Sequence, residues 1–401
     1  MSGPHPDREA LGGALRALAD RDVAATREWE TRHFDRQAKG RPIVLMGAGG
    51  LGRRVLDGLR HHGVEPIAFA DNGRAGTTVE GVPVWSPADA ARRYGATAAF
   101  VLTIWGAHLT HRFAHSREQL HALGCDIVLP FPLLLWKYAD VLLPFYLQDL
   151  PSRVIAQRDA MLAGFEVWAD DPSRAEYVAQ VRWRLIADFD GLAPPVSGPQ
   201  YLRDELFTWL DDEWILDGGA FDGDTIRSLA AHRGNRYAHL LAVEPDPANF
   251  HRLIDTVAAL PENVRSRIDC RHVALAATQT TLHLDASGTA GSATRATGSP
   301  TTIAVPAETI DDLTAGARPT FIKLDIEGFE IDALEGARRT IGRHAPVVAV
   351  CVYHAQDHLW RIPLLLREWC PDASLFLRPH REEGWDLVCY AVPRARLARP
   401  A

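Results

Sequence analysis

Apolar positions follow two rhythms along the chain. Over 41–132, short unbroken apolar runs alternate with stretches of helical spacing, and the same alternation returns from Trp214 onward. Such alternation predicts strands and helices in turn, the pattern of an α/β fold with parallel sheets. The runs at 41–46, 66–70, 98–104 and 126–129 predict the strands of a small doubly wound domain over 39–132. Leu11, Leu15 and Leu18 lie at helical spacing and predict a helical leader over 1–38. Residues 133–212 lack strand-like runs; 136–150 and 173–190 predict helices of a bridge, and the prolines at 194, 195 and 199 a linker. Over 213–401 the strand candidates are 215–216, 239–243, 268–274, 280–284, 321–324, 347–352, 374–377 and 387–392. They predict a mostly parallel sheet of seven strands, antiparallel late in the chain, with one short candidate to spare. The Gly, Ser, Thr and Ala of 287–302 predict a mobile loop beside the site.

Composition narrows the class. The chain has 401 residues, 47% hydrophobic and 23% charged, with a net charge of −8. An acidic balance argues against a broad nucleic-acid footprint. The most apolar run, 127–135, is too short and proline-interrupted to span a bilayer. The five cysteines are scattered without metal-binding spacing, which suits a reducing cytoplasm and no metal centre.

The chemistry concentrates where the third domain opens. The run ending in Ile215 and Leu216 feeds into Asp217, Gly218 and Gly219, then Phe221 and Asp222 at a helix start. Glycine permits a sharp turn and close approach of a ligand, and the helix start offers free N–H groups. Glu244 closes the next strand, followed by Pro245 and Asp246, where a carboxylate can accept both hydroxyls of a ribose. An acid at the turn itself would repel a pyrophosphate, so Asp217 points to a cationic or amine-bearing nucleoside. Asp269 or His272, near the next strand, could meet an adenine edge. Further on, Lys323, Asp325 and Glu327 alternate along a strand and its end, so they share one face. Their alternative reading is a strand-end ion-pair cluster leading into a helix. His354 ends a long apolar strand and reads either as a buried core histidine or as a site residue.

Four segments carry a resemblance. Residues 215–225 with 240–246, 305–313, 321–337 and 347–363 follow in the order found in class I S-adenosylmethionine methyltransferases, and within them the region 200–393 is similar to the FkbM family. The resemblance implies S-adenosylmethionine as cofactor and a hydroxyl of a specialised metabolite, polyketide or sugar unit as acceptor. On this reading Asp217 faces the donor's ammonium, Gly218 and Gly219 carry its methionine part, Glu244 binds the ribose, and Phe221, Asp222, Pro245 and Asp246 complete the cradle. Transfer to a hydroxyl requires alignment and a base. His354 has the right ordinary pKa; Asp325 is the rival base or its orienter, and Lys323 could stabilise the acceptor oxygen. Glu327, Tyr353 and Asp357 fall on the substrate side.

Gly47, Gly49 and Gly52 form a G-x-G-x-x-G between a strand and a helix, with Asp71 ending the following strand. Two readings stay open: a site for NAD or a nucleotide-sugar, similar to the N-terminal domain of sugar O-acyltransferases, or a module kept for docking or homodimerisation. An NAD-dependent oxidoreductase centred on this motif, or a nucleotide sensor without catalysis, are the alternative functions.

Overall fold

The computed structural model describes residues 7–106, 111–285 and 302–398. Six strands form the first sheet: β1 (Ile43–Met46), β2 (Ala68–Ala70), β3 (Thr78–Val79), β4 (Val82–Trp85), β5 (Ala99–Leu102) and β6 (Ile127–Pro130), in the order β3-β4-β2-β1-β5-β6. All residues of β1, β2 and β5 are buried, as parallel strands covered on both faces require. Only the β3–β4 pair is antiparallel.

The second α/β unit contains β7 (Trp214–Gly218), β8 (His239–Val243), β9 (Ile268–Arg271), β10 (Ala274–Leu275), β11 (Thr280–Asp285), β12 (Thr302–Glu308), β13 (Phe321–Leu324), β14 (Val347–Cys351), β15 (Ala373–Pro379) and β16 (Leu387–Pro393). Seven of them build one sheet in the order β15-β16-β14-β13-β7-β8-β9, parallel except for β16. The spare candidate at 280–284 is β11, which joins β10 and β12 in a separate three-stranded sheet. The predicted strand 268–274 accordingly splits into β9 and β10.

Three strands escaped prediction: β3, which is only two residues long, and β4 and β12, which hold Pro83 and Pro306; proline weakens a strand signal because it cannot donate to a ladder. The loop expected at 287–302 lies outside the described residues, apart from Thr302 in β12. The single helix predicted over 136–150 is instead two short ones, Pro132–Lys137 and Ala139–Leu142, interrupted at Tyr138, and Pro144 keeps the second from continuing. The helix predicted over 173–190 runs Asp171–Ile186, capped by Asp170 and ended by Ala187 in the left-handed region at φ 55°.

The leader forms two helices, Arg8–Ala19 and Val23–Ala38, broken at Asp22, whose side chain caps the second. Glu30 in the second is buried and accepts both the N–H and the hydroxyl of Ser152, fastening leader to bridge. The bridge is fastened in turn to the second sheet, where Ala169 donates its N–H to the Leu375 carbonyl of β15. No helix among the described residues is long and apolar enough to cross a membrane.

Candidate active site

In the second sheet β7 lies between β13 and β8, so the chain leaves the middle of the sheet in opposite directions on either side. Crevices form at the carboxyl ends of strands at such a point. A cavity of about 350 Å³ opens there, within the range of small-ligand sites. Its walls come from the loop after β7, the ends of β8 and β13, and the turn between β15 and β16.

Glu244 is fixed at the cavity by the chain around it. One carboxylate oxygen accepts the N–H of Phe221 at 2.9 Å; the other accepts the N–H of Asp246 at 2.9 Å and the amide of Asn249 at 3.3 Å. Burial nevertheless pushes its pKa up to about 6, against the lowering effect of these bonds. Gly219 and Phe221 line the cavity beside it. The glycines have a reason besides ligand approach: a Cβ on Gly219, at φ +75°, would sit 1.9 Å from the Asp325 carbonyl, and one on Gly218 would strike Leu275 and Leu324. They let the loop close against the end of β13.

Asp217 does not face the cavity. It is fully buried, level with Lys323 across the β7–β13 ladder, and its carboxylate stands 3.0 Å from the Lys323 ammonium. Burial raises the Asp217 pKa while Lys323 opposes the rise. Burial would lower the Lys323 pKa, but the charges of Asp217 and Asp325 hold it above the ordinary range. The same ammonium donates to the Gly219 carbonyl at 2.6 Å. Lys323 reaches the cavity wall, yet its donors already tie the glycine loop to Asp217.

Asp325, Glu327 and His354 converge at the ends of β13 and β14. Asp325 and Glu327 line the cavity, and His354 stands behind them with its side chain 1% exposed. His354 Nε2 is 3.4 Å from Asp325 and 3.7 Å from Glu327; its Nδ1 is 2.7 Å from the fully buried Glu330. Burial alone would lower the His354 pKa, but Glu330, Glu327 and Asp325 drive it up to about 10. The ring is therefore an imidazolium at neutral pH. Glu327 moves the other way: burial pushes it up to about 7, against the attraction of His354. Its backbone adopts φ +56°, a conformation costly for a residue with a side chain and frequent at functional sites. Asp325 accepts the Tyr201 hydroxyl at 2.7 Å.

Other expected residues lie aside. Asp222 pairs with Arg227 at 2.5 Å, and Asp246 caps the helix Pro247–Ala258. Asp357 stands just before the helix His358–Trp369 without a side-chain capping bond and pairs with Arg361 at 2.9 Å; none of the three lines the cavity. Asp269 pairs with His239, and His272 bonds to the Pro245 carbonyl; neither reaches the wall. Pro245 and Tyr353 do reach it, with Tyr353 packed 4.1 Å from the His354 ring. Sequence reasoning missed Asp224, Tyr201, Arg381 and Asp386. Tyr201 sits in the linker and Asp386 in a turn, where a lone polar residue gives no signal. Glu330 opens the helix Glu330–Glu335, where an acid is unremarkable in sequence and gives no sign that it faces a histidine. Five carboxylates and two cations line the cavity, so its field is negative. No group of three or more metal-ligating side chains is assembled among the described residues.

The first domain holds a second, larger cavity of about 890 Å³ at the carboxyl ends of β1, β2 and β5. Gly47, Gly49 and Asp71 line it. Asp71 ends β2 as Glu244 ends β8, and likewise accepts an N–H from the glycine loop, that of Ala48 at 2.9 Å. A Cβ on Gly52 would lie 2.0 Å from the Gly47 carbonyl, which explains the third glycine; Gly49 and Gly50 face open space.

This sheet order and strand-end site define a class I methyltransferase fold. Residues 217–373 match the methyltransferase FkbM domain, so the chain carries an FkbM-family methyltransferase domain behind an N-terminal α/β domain and is a methyltransferase. That match favours the transferase reading over the oxidoreductase one. The crystal structure of methyltransferase FkbM from Methylobacillus flagellatus KT is similar over 96% of this chain and 100% of that one, with 22% identity and a TM-score of 0.77. The methyltransferase domain of bacterial CtHen1 covers 45% of this chain and 91% of its own, at 12% identity and a TM-score of 0.29. No curated protein matches the chain by sequence.

Proposed function

We propose that this chain transfers a methyl group from S-adenosylmethionine to a hydroxyl of a small molecule, with Glu327 as the base. The observation that carries the reading is one cavity holding both a strand-end carboxylate fixed by loop N–H groups, Glu244, and a carboxylate that titrates near neutrality, Glu327. The residues present fit the donor. Glu244 has the geometry for a ribose diol, Phe221 and Val243 offer apolar surface, and the acid-rich walls favour a sulfonium. When bound, S-adenosylmethionine supplies a methyl group on a positively charged sulfur, an electrophile that needs no further activation.

The protein's task is to align the acceptor and take its proton. A base works best with a pKa near the working pH, which Glu327 has and the imidazolium of His354 does not. Asp325, bonded to Tyr201 and facing His354, is the positioning partner. Glu327 would take the hydroxyl proton as the acceptor oxygen takes up the methyl group that a bound S-adenosylmethionine would supply, the donor being left as a neutral thioether.

The test is Glu327→Gln. Turnover should fall by about 10²–10⁴-fold, the usual contribution of a positioned base, with S-adenosylhomocysteine affinity by calorimetry unchanged. Wild-type turnover should rise with pH through about 7, as Glu327 loses its proton, and the variant should lose that rise. A variant with wild-type turnover, or one that keeps the same pH profile, removes Glu327 from the role.

A further inference from the structure

The two cavities share a wall. Tyr146 and Trp385 line both, with their rings 4.9 Å apart. Trp385 also packs 4.5 Å from Trp105 of the first domain and 5.7 Å from Tyr353 of the methyl site. Arg381 spans the same seam, lining the methyl cavity while donating toward the Gly106 carbonyl at the edge of the other.

The cavities differ in charge. The methyl cavity has five carboxylates against two cations. The N-terminal cavity has a single carboxylate, Asp71, with Arg54, His111 and His115 around it. Phosphate is repelled from the first; the second, where Arg54 balances Asp71, has no such excess of negative charge. In the second, the helix Gly50–His61 begins at the wall, and Gly49 at its N-cap makes no side-chain capping bond. Gly49 and Gly50 leave open space where a side chain would stand, so a pyrophosphate can reach the backbone N–H groups. Asp71 stands where a ribose would lie, and Ile104, Trp105 and Phe145 give an apolar wall for a base.

Resting on the methyl-transfer reading above, we propose that the two cavities form one acceptor site. The acceptor is a nucleoside-diphosphate conjugate: its nucleotide pyrophosphate lies on the Gly47–Gly52 loop, and its neutral, hydroxyl-bearing end runs past the Tyr146–Trp385 pair toward Glu327. The pyrophosphate is a handle and takes no part in bond making; methyl and proton move as already described. This division explains why an acid-lined methyl site adjoins a cleft without that negative excess.

Calorimetric titration of the full chain with uridine, thymidine, guanosine and adenosine diphosphates, with NAD, and separately with S-adenosylhomocysteine tests the proposal. Two variants fill the cleft from opposite walls. Gly49→Val has φ −80°, which valine accepts, and Gln119→Trp lies exposed on the helix Phe113–Ala122. At least one nucleoside diphosphate should bind the wild-type chain, and both variants should lose it while keeping S-adenosylhomocysteine affinity, which also shows that they fold. Sugar conjugates of that nucleotide should be methylated with a raised KM and a nearly unchanged kcat in the variants. The proposal is overturned if no nucleoside diphosphate binds at millimolar concentration while S-adenosylhomocysteine does, if NAD alone binds, or if both variants bind nucleotide as wild type does. Failure of S-adenosylhomocysteine to bind the wild-type chain instead overturns the donor reading, and the acceptor assignment with it.

Discussion

At His354 burial and charge act in opposite directions, and charge prevails. Three carboxylates from one short segment, Asp325, Glu327 and Glu330, face one ring, and Glu330 is bonded to it inside the protein. Burial would raise the Glu330 pKa, but the charge and hydrogen bond of His354 hold it well below the usual carboxylate range. Removing one member of such a buried pair strands the other, at a cost of about 3–5 kcal/mol. Glu330→Gln should therefore lower stability by that order in denaturant unfolding. The pH dependence follows from both shifts. The His354 contribution is full below the ordinary histidine pKa of 6.5 and fades as pH rises through about 10. The Glu330 contribution is full above its ordinary 4.5 and fades in acid. The gap between wild type and variant should be widest at about pH 4.5–6.5; a gap that grows toward pH 9 contradicts the pairing. The sequence already displayed Asp325, Glu327 and His354 at strand ends. It could not display protonation, because an imidazole reads as a neutral base until its neighbours are counted in space.

The glycine loop and Glu244 form the next scale up. The sequence made this element legible because a fully buried parallel strand leaves an unbroken apolar run, and a turn at its end demands glycine. Proline hid β4 and β12, and the residues that complete the site from the linker and the last turn, Tyr201 and Asp386, come from segments without periodicity. Asp217 was legible as special but misplaced: the ladder pairing that sets it against Lys323 appears only when β7 and β13 stand side by side. Glu244 carries the prediction for this element. With its pKa at about 6 in the ligand-free chain, it must lose a proton before it can accept two ribose hydroxyls. S-adenosylhomocysteine affinity should therefore weaken as pH falls below about 6. Glu244→Gln should weaken it by about 1.5–3 kcal/mol at pH 8 and abolish the pH dependence. An affinity that is flat between pH 5 and 8 in the wild type would show that Glu244 serves only to hold the loop.

Across the whole molecule, the domains meet at the turn between β15 and β16, a seam that no local pattern announces because its partners are hundreds of residues apart. The Trp105 indole donates to the Glu383 carbonyl at 3.1 Å, and the Glu383 carboxylate accepts the N–H of Phe113, at the start of the helix Phe113–Ala122. Glu383 is 3% exposed. Burial pushes its pKa up to about 7; the Phe113 N–H and Arg112 oppose the rise, while Glu382 and Asp190 add to it. Below its ordinary pKa of 4.5, Glu383 is protonated whether the chain is folded or not. Between about 4.5 and 7 the unfolded chain has released a proton that the folded chain still holds, so stability falls as pH rises. Above about 7 the carboxylate is charged in both states, and the full penalty of burying it remains. A glutamine keeps an acceptor for the Phe113 N–H without the charge. Glu383→Gln should therefore match wild type in melting temperature near pH 4.5 and exceed it at pH 8, with the gain developing between those values. The helix N-terminus favours a negative charge at this position. If that attraction outweighs burial, the variant will melt below wild type at pH 8, and the seam is held by the ionised carboxylate rather than strained by it.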